Sequence, residues 1–183
     1  VLAGDALIVL AFQALGRAAG AAPERVPELI EIITRASGMP AGIVAGQAWE
    51  CEPEVELSHY QQSKTGSLFA AATVAGAAAA GVESGPWRAL GERIGRAYQI
   101  VDDILDVAGD AEQLGKPIGQ DEAGAHPSAA RELGVDGARR QFDTFMDSIV
   151  EAIPSCPGAE ALETRIVAEA RAFLPRKLAE TAA

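Results

Sequence analysis

The stretch Tyr98-Gln99-Ile100-Val101-Asp102-Asp103-Ile104-Leu105-Asp106 decides how this chain is read. Asp102 and Asp106 stand four residues apart, and Asp103 and Asp106 three apart, so a helix turns all three carboxylates to one side. Gln99 extends the row to the spacing i, i+3, i+4, i+7. Around that row, Ala97, Ile100, Val101, Ile104, Leu105 and Val107 make the helix apolar nearly all round, and such a helix is buried. The polar row is therefore expected to face an internal cavity. Carboxylates gathered on a buried face repel one another and are costly to desolvate, so a cation is expected beside them. Hard oxygen donors, few in number and on one side, suit an Mg²⁺ ion that keeps part of its water and bridges to a phosphate. The plainer alternative for any Asp-Asp-x-x-Asp is a solvated acidic face. The flanking apolar residues count against it here.

Outward from this stretch, the chain is 183 residues long, enough for a single domain with a proper core over residues 1–183. Of its residues 49% are hydrophobic, aromatics are scarce and alanine is abundant. Small side chains suit closely packed helices, and little alternates at the period of a strand, so the fold class is all-α. Helices are predicted over Gly4–Ala19, with Leu7, Leu10, Ala11, Ala14 and Leu15 on one face, over Pro23–Ser37, and from Ala41 to Cys51. An alanine-rich helix is predicted from Leu57 to Ala80. Gly81 to Pro86 makes a turn, and the next helix carries the aspartates as far as Val107. Gly109 to Pro127 reads as a glycine- and proline-punctuated loop, and Ala129–Ala152 and Ala159–Leu174 are the closing helices.

A net charge of −11 argues against nucleic acid as a partner. It leaves an anionic substrate open, because a bound metal reverses the local sign. Cys51 and Cys156 sit in unrelated contexts and read as reduced thiols of a cytoplasmic protein. No signal peptide is expected, and the longest uncharged run, Gly66 to Val82, is too weakly apolar for a membrane span. The chain begins at Val1, already inside an apolar helical pattern, so its natural start is expected upstream.

Ser63-Lys64-Thr65-Gly66-Ser67-Leu68-Phe69 puts a lysine and a threonine hydroxyl at one level of a helix. Read alone it fits a solvated helix face. With a metal-binding acidic row in the same chain, a lysine that ion-pairs with diphosphate oxygens is the sharper reading. Gln47 and Glu50 share a helix face at i, i+3, either as a polar pair supporting the helix or as part of a site.

Ile94-Gly95-Arg96-Ala97-Tyr98-Gln99-Ile100-Val101-Asp102-Asp103-Ile104-Leu105-Asp106 resembles the second aspartate-rich motif of the trans-isoprenyl diphosphate synthases, especially the geranylgeranyl diphosphate synthases of pigment-producing bacteria. The resemblance implies a helical bundle of the isoprenoid synthase type, here lacking its N-terminal helices. It implies that Asp102, Asp103 and Asp106 hold Mg²⁺ and that Lys64 and Thr65, with Gln99, bind an allylic diphosphate. Gly46-Gln47-Ala48-Trp49-Glu50 is similar to the family's Gly-Gln-x-x-Asp element, which makes Gln47 a substrate-binding candidate and gives Glu50 the part of orienting Lys64. Leu114-Gly115-Lys116-Pro117-Ile118-Gly119-Gln120-Asp121 resembles the family's loop over the diphosphate, with Lys116 closing on the leaving group. Gln120 and His126 depart from the basic residues usual there.

What the resemblance implies for function is Mg²⁺-dependent, head-to-tail prenyl transfer. Asp102, Lys64 and Lys116 assist ionisation of an allylic diphosphate, and isopentenyl diphosphate attacks the resulting cation. The family's first aspartate-rich motif and its Arg-Arg-Gly segment are not in this sequence, so these residues alone are expected to be inactive. Geranylgeranyl diphosphate is the expected product and a homodimer the expected assembly. A non-catalytic subunit that pairs with a full-length synthase is the alternative, and a terpene cyclase or head-to-head synthase a more distant one. The alanine-rich helix and its neighbours are expected to expose apolar surface.

Overall fold

The computed structural model describes residues 1–49, 51–52, 56, 59–60, 62–108 and 129–174. Helix α1 spans Leu2–Ala18, and a single 3-10 turn, Pro23–Arg25, leads into α2, Val26–Ser37. Helix α3 covers Ile43–Trp49, a π-helical turn covers Gln62–Gly66, and α4 continues directly as Ser67–Ala80. Helix α5 is Trp87–Ala108, α6 is Ala129–Glu151 and α7 is Ala159–Ala172. Among the described residues there is no strand, in agreement with the all-α expectation, and the helix limits agree to within a few residues. The loop expected over Gly109–Pro127 lies outside the described residues.

Val1–Gly91 and Glu92–Ala183 form two compact units, with α5 beginning in the first and ending in the second. In the first unit α2 packs along α4, and the interface is built from small residues. Ala36 of α2 and Ala70, Val74, Ala77 and Ala78 of α4 are all buried. Alanine is the best helix former and lets two backbones approach closely, which is why so uniform a sequence still packs. Gly91 makes the closest approach of α5 to α4, since a Cβ there would strike Phe69 O, Ala70 Cα and Thr73 Oγ1. At the same crossing Thr73 Oγ1 donates to Trp87 O at 2.8 Å.

The end of α4 follows from its sequence. Gly81 adopts φ 73°, ψ 28°, a left-handed conformation that favours glycine. Its N–H reaches Ala78 O at 3.0 Å and the Val82 N–H reaches Ala77 O at 3.1 Å, satisfying the last carbonyls. The Arg25 guanidinium adds a bond to Ala79 O at 2.5 Å, a cation where the helix dipole is negative.

In the second unit the core runs along α5 and α6. Ala97, Ile100, Val101 and Ile104 of α5 and Ala138, Phe142, Met146 and Ile149 of α6 are each no more than 7% exposed. Positions 138, 142, 146 and 149 recur at helical spacing, one stripe of α6. Arg93 of α5 donates to Ser148 O near the end of α6, tying the two helices at a second point.

Three expectations change. The predicted helix Leu57–Ala80 is not a uniform α-helix, because the Gln62–Gly66 turn is π-helical. The predicted helix Ala129–Ala152 is interrupted at Gly134, whose φ of 70° and ψ of 165° no α-helix contains. Exposure of apolar surface falls mainly on α1, not on the alanine-rich helix. Leu2, Leu7, Ile8, Val9 and Leu10 are more than half exposed and no residue of α1 is buried, whereas α4 buries four residues.

Candidate functional site

The acidic row lies on the second half of α5, in the second unit. Asp103 and Asp106 are buried, with 5% and 4% of their surface exposed, and Asp102 is half-buried. Ile100, Val101 and Ile104 of the same stretch are also buried, Ile104 wholly so. The alternative of a solvated acidic face therefore does not hold for Asp103 and Asp106. The helix is less completely buried than expected, since Tyr98 and Val107 are 38% and 45% exposed and Arg96 is exposed.

Gln99 Nε2 donates to Asp103 Oδ1 at 3.1 Å, one turn along the same helix. A glutamine in this place fixes the carboxylate's rotamer without neutralising its charge. Tyr98, also one turn before Asp102, meets the Phe173 ring edge-on at 5.9 Å. This aromatic pair fixes the outer side of α5 against the end of α7.

Whether the row fits Mg²⁺ turns on its donors. All are carboxylate oxygens, the hard ligands that Mg²⁺ takes, and two of the three are shielded from water. Among the described residues, no group of three or more carboxylates, imidazoles or thiols is placed to hold a metal ion together, Asp102, Asp103 and Asp106 included. Mg²⁺ commonly binds through one or two carboxylates, keeping water and phosphate in its other positions, so an open row fits it better than a cage.

Lys64 lies in the first unit, on the π-helical turn. Its ammonium donates to Tyr60 Oη at 2.7 Å and stands 5.1 Å from the centre of the Tyr60 ring. The lysine is half-buried, as is Thr65, and Ser63 just before them is buried. Helix α3 lies along this turn. The contact is made by Gly46: a Cβ there would fall 2.6 Å from Lys64 N, 2.7 Å from its Cα and 2.8 Å from its Cβ. Only a residue without a side chain lets the α3 backbone lie this close to the lysine.

Ser67 Oγ lies 2.6 Å from Ser63 O and 3.1 Å from Ala36 O, so its single proton serves a carbonyl of the π turn or the end of α2. A π turn leaves carbonyls without their usual partner, and a serine four residues on is well placed to serve one. Such turns occur mostly as single insertions within α-helices and often at functional sites.

The Gly46-Gln47 string is thus brought against Lys64, but through Gly46, and Gln47 itself is exposed. Glu50, Lys116, Gln120 and His126 lie outside the described residues. Lys64 and the aspartates belong to different units, and each set is defined by its own unit's geometry. Sequence reasoning passed over Tyr60 and Ser67. The available signal was spacing, since each stands four residues from a residue of the Ser63-Lys64 pair. Among the described residues no helix is long and apolar enough to cross a membrane, and Cys51 and Cys156 are free thiols.

An all-α chain with a buried aspartate row on one helix and a glycine-backed lysine on another has the features of the isoprenoid synthase class. The family profile for polyprenyl synthetase matches residues 1–158, and the chain belongs to that family. It is 47% identical to the geranylgeranyl diphosphate synthase of Cereibacter sphaeroides over 179 residues, which are 98% of this chain and 62% of that protein. Against the geranylgeranyl diphosphate synthase of Rhodobacter capsulatus it is 47% identical over 162 residues, 88% of this chain and 56% of that protein. The fold is similar to that of the geranyltransferase of Helicobacter pylori in complex with magnesium and isoprenyl diphosphate. There the TM-score is 0.75 at 27% identity, covering 92% of this chain and 59% of that one. The chain spans about three-fifths of the length of these relatives.

Proposed function

We propose that the protein to which this chain belongs is a Mg²⁺-dependent prenyltransferase that joins an allylic diphosphate to isopentenyl diphosphate and yields geranylgeranyl diphosphate. The observation that carries the reading is the burial of Asp103 and Asp106 on an otherwise apolar stretch of α5, with Gln99 fixing the first of them. The 47% identity to two geranylgeranyl diphosphate synthases supports the product assignment.

In this reading Asp102, Asp103 and Asp106 hold Mg²⁺, which when bound supplies Lewis-acid stabilisation of charge on a diphosphate leaving group. Lys64 gives a compact positive charge to diphosphate oxygens, and the Thr65 hydroxyl a hydrogen bond beside it. Gln99 keeps Asp103 aimed. Gly46 keeps the backbone of Lys64 where α3 supports it. Lys116 and Gln47 keep the leaving-group and substrate roles that the resemblance implies. Low dielectric around the acids strengthens their hold on the metal, and exclusion of water protects an allylic cation from capture. Association as a homodimer in the cytoplasm completes the reading. The exposed leucines and isoleucine of α1 are the apolar surface that would support such association.

The test is a prenyl-transfer assay on a protein of the relatives' length containing this sequence. Dimethylallyl, geranyl and farnesyl diphosphates are supplied in turn with isopentenyl diphosphate, with and without Mg²⁺. Twenty-carbon product that appears only with Mg²⁺ is the expected result; products of another length refute the product assignment, and metal-independent turnover refutes the mechanism. The 183 residues alone are expected to give no condensation.

A further inference from the structure

Lysine is a poor fixed anchor on its own. Its four-carbon stem carries about 2 kcal/mol of rotamer entropy, which binding must overcome. On this chain the stem is constrained at both ends. At its base, Gly46 lies against the Lys64 backbone and Cβ. At its tip, the ammonium donates to Tyr60 Oη at 2.7 Å and stands 5.1 Å from the Tyr60 ring centre. With 2.7 Å to the hydroxyl and 5.1 Å to the ring centre, the ammonium lies beyond the hydroxyl end of the ring and not over its face, so the attraction is the hydroxyl acceptor.

The pairing depends on the local backbone. Tyr60 precedes Lys64 by four residues, and the intervening chain enters the Gln62–Gly66 π turn. A π turn winds more widely than an α turn, so a contact across it is set by that irregularity and not by ordinary i, i+4 stacking. Ser67, through Ser63 O and Ala36 O, ties this turn to α2.

We infer that Tyr60 is a positioning residue that holds the Lys64 ammonium in advance for a diphosphate, through its hydroxyl. This rests on the reading above in which Lys64 binds diphosphate. Tyr60 acts on the ligand through Lys64, by removing conformational freedom before binding. The opposite arrangement is also physically definite. A tyrosine that competes with the ligand for the ammonium weakens binding, and its removal then tightens it.

The experiment is calorimetric titration of the 183-residue chain with inorganic diphosphate in millimolar Mg²⁺, for the wild type, Lys64→Ala, Tyr60→Phe, Tyr60→Leu and the double variant Tyr60→Phe/Lys64→Ala. Lys64→Ala weakens binding by about tenfold or more. Tyr60→Phe and Tyr60→Leu both remove the hydroxyl, and each weakens binding about threefold. In the Lys64→Ala background, Tyr60→Phe adds nothing, because its effect passes through the missing ammonium. Thermal unfolding of each variant separates this coupling from loss of fold, and a merely structural tyrosine adds its full effect in either background.

Unchanged or tighter binding by Tyr60→Phe and Tyr60→Leu, with Lys64→Ala still impaired, overturns the role of Tyr60 alone. Full additivity in the double variant does the same. Lys64→Ala with wild-type affinity, or no binding by the wild-type chain, overturns the diphosphate reading of Lys64 and the inference with it.

Discussion

The acidic row of α5 and the Lys64 turn present opposite charges by opposite means. Asp103 and Asp106 have short, buried side chains on a regular helix, and the Gln99 bond fixes the first of them. Lys64 has a long side chain on an irregular turn, fixed by a glycine at its base and a tyrosine at its tip. Short acids inherit their precision from the helix that carries them. A long base needs precision supplied from outside, and its supports are the more fragile part of the molecule.

The largest effect should come from the acids themselves. Asp103→Asn and Asp106→Asn keep size and shape but remove charge, and each is expected to lower Mg²⁺-dependent diphosphate binding by about a hundredfold or more. Calorimetry with and without chelator checks this, and unchanged metal dependence would erase the contrast between the two regions. These variants should unfold within about 1–2 kcal/mol of the wild type, since the side chain keeps its size and shape.

A smaller but two-sided effect is expected at Gly46. Gly46→Ala places a methyl group 2.6–2.8 Å from the Lys64 backbone and Cβ, too near for either to stay in place. The loss should be about 1–3 kcal/mol of stability, together with roughly tenfold weaker diphosphate binding. Denaturant titration and calorimetry on one preparation measure both. A variant with normal binding and normal stability would show that α3 does not support the lysine.

The smallest effect sharpens the comparison by leaving both regions alone. Gly81→Ala forces a side chain into left-handed backbone at φ 73° and against the Arg25 guanidinium. It should cost about 1–2 kcal/mol, seen as a lower unfolding midpoint, with diphosphate affinity unchanged. Lost affinity in this variant would mean that the Lys64 turn responds to general destabilisation and not to its named contacts.

The regular region was legible in the sequence for the same reason that it is robust. Helical spacing aligned Gln99, Asp102, Asp103 and Asp106, and the flanking isoleucines and valine correctly implied burial for Asp103 and Asp106. Gly81 likewise announced a helix end, because few other residues tolerate that conformation. The π turn gave no such warning. Its Gln62-Ser63-Lys64-Thr65-Gly66 string suits an α-helix locally, and the extra winding is settled by what packs on it, Gly46 and Ser67 in particular. The kink at Gly134 belongs to the same class, since an isolated glycine in a helical pattern is more often tolerated than obeyed. The exposed side of α1 was read as an ordinary amphipathic face because periodicity reports that a face is apolar, not what covers it.

The π turn also absorbs a residue without disturbing the register ahead of it. Relative to a plain α-helix it accommodates a surplus residue within one widened turn, so the helix on either side keeps its phase. Excising Gln62 would restore ordinary winding and leave Tyr60 three residues before the lysine, a spacing that still shares a helix face. What such a deletion would take away is the widened backbone at Lys64 itself, the surface on which Gly46 is seated.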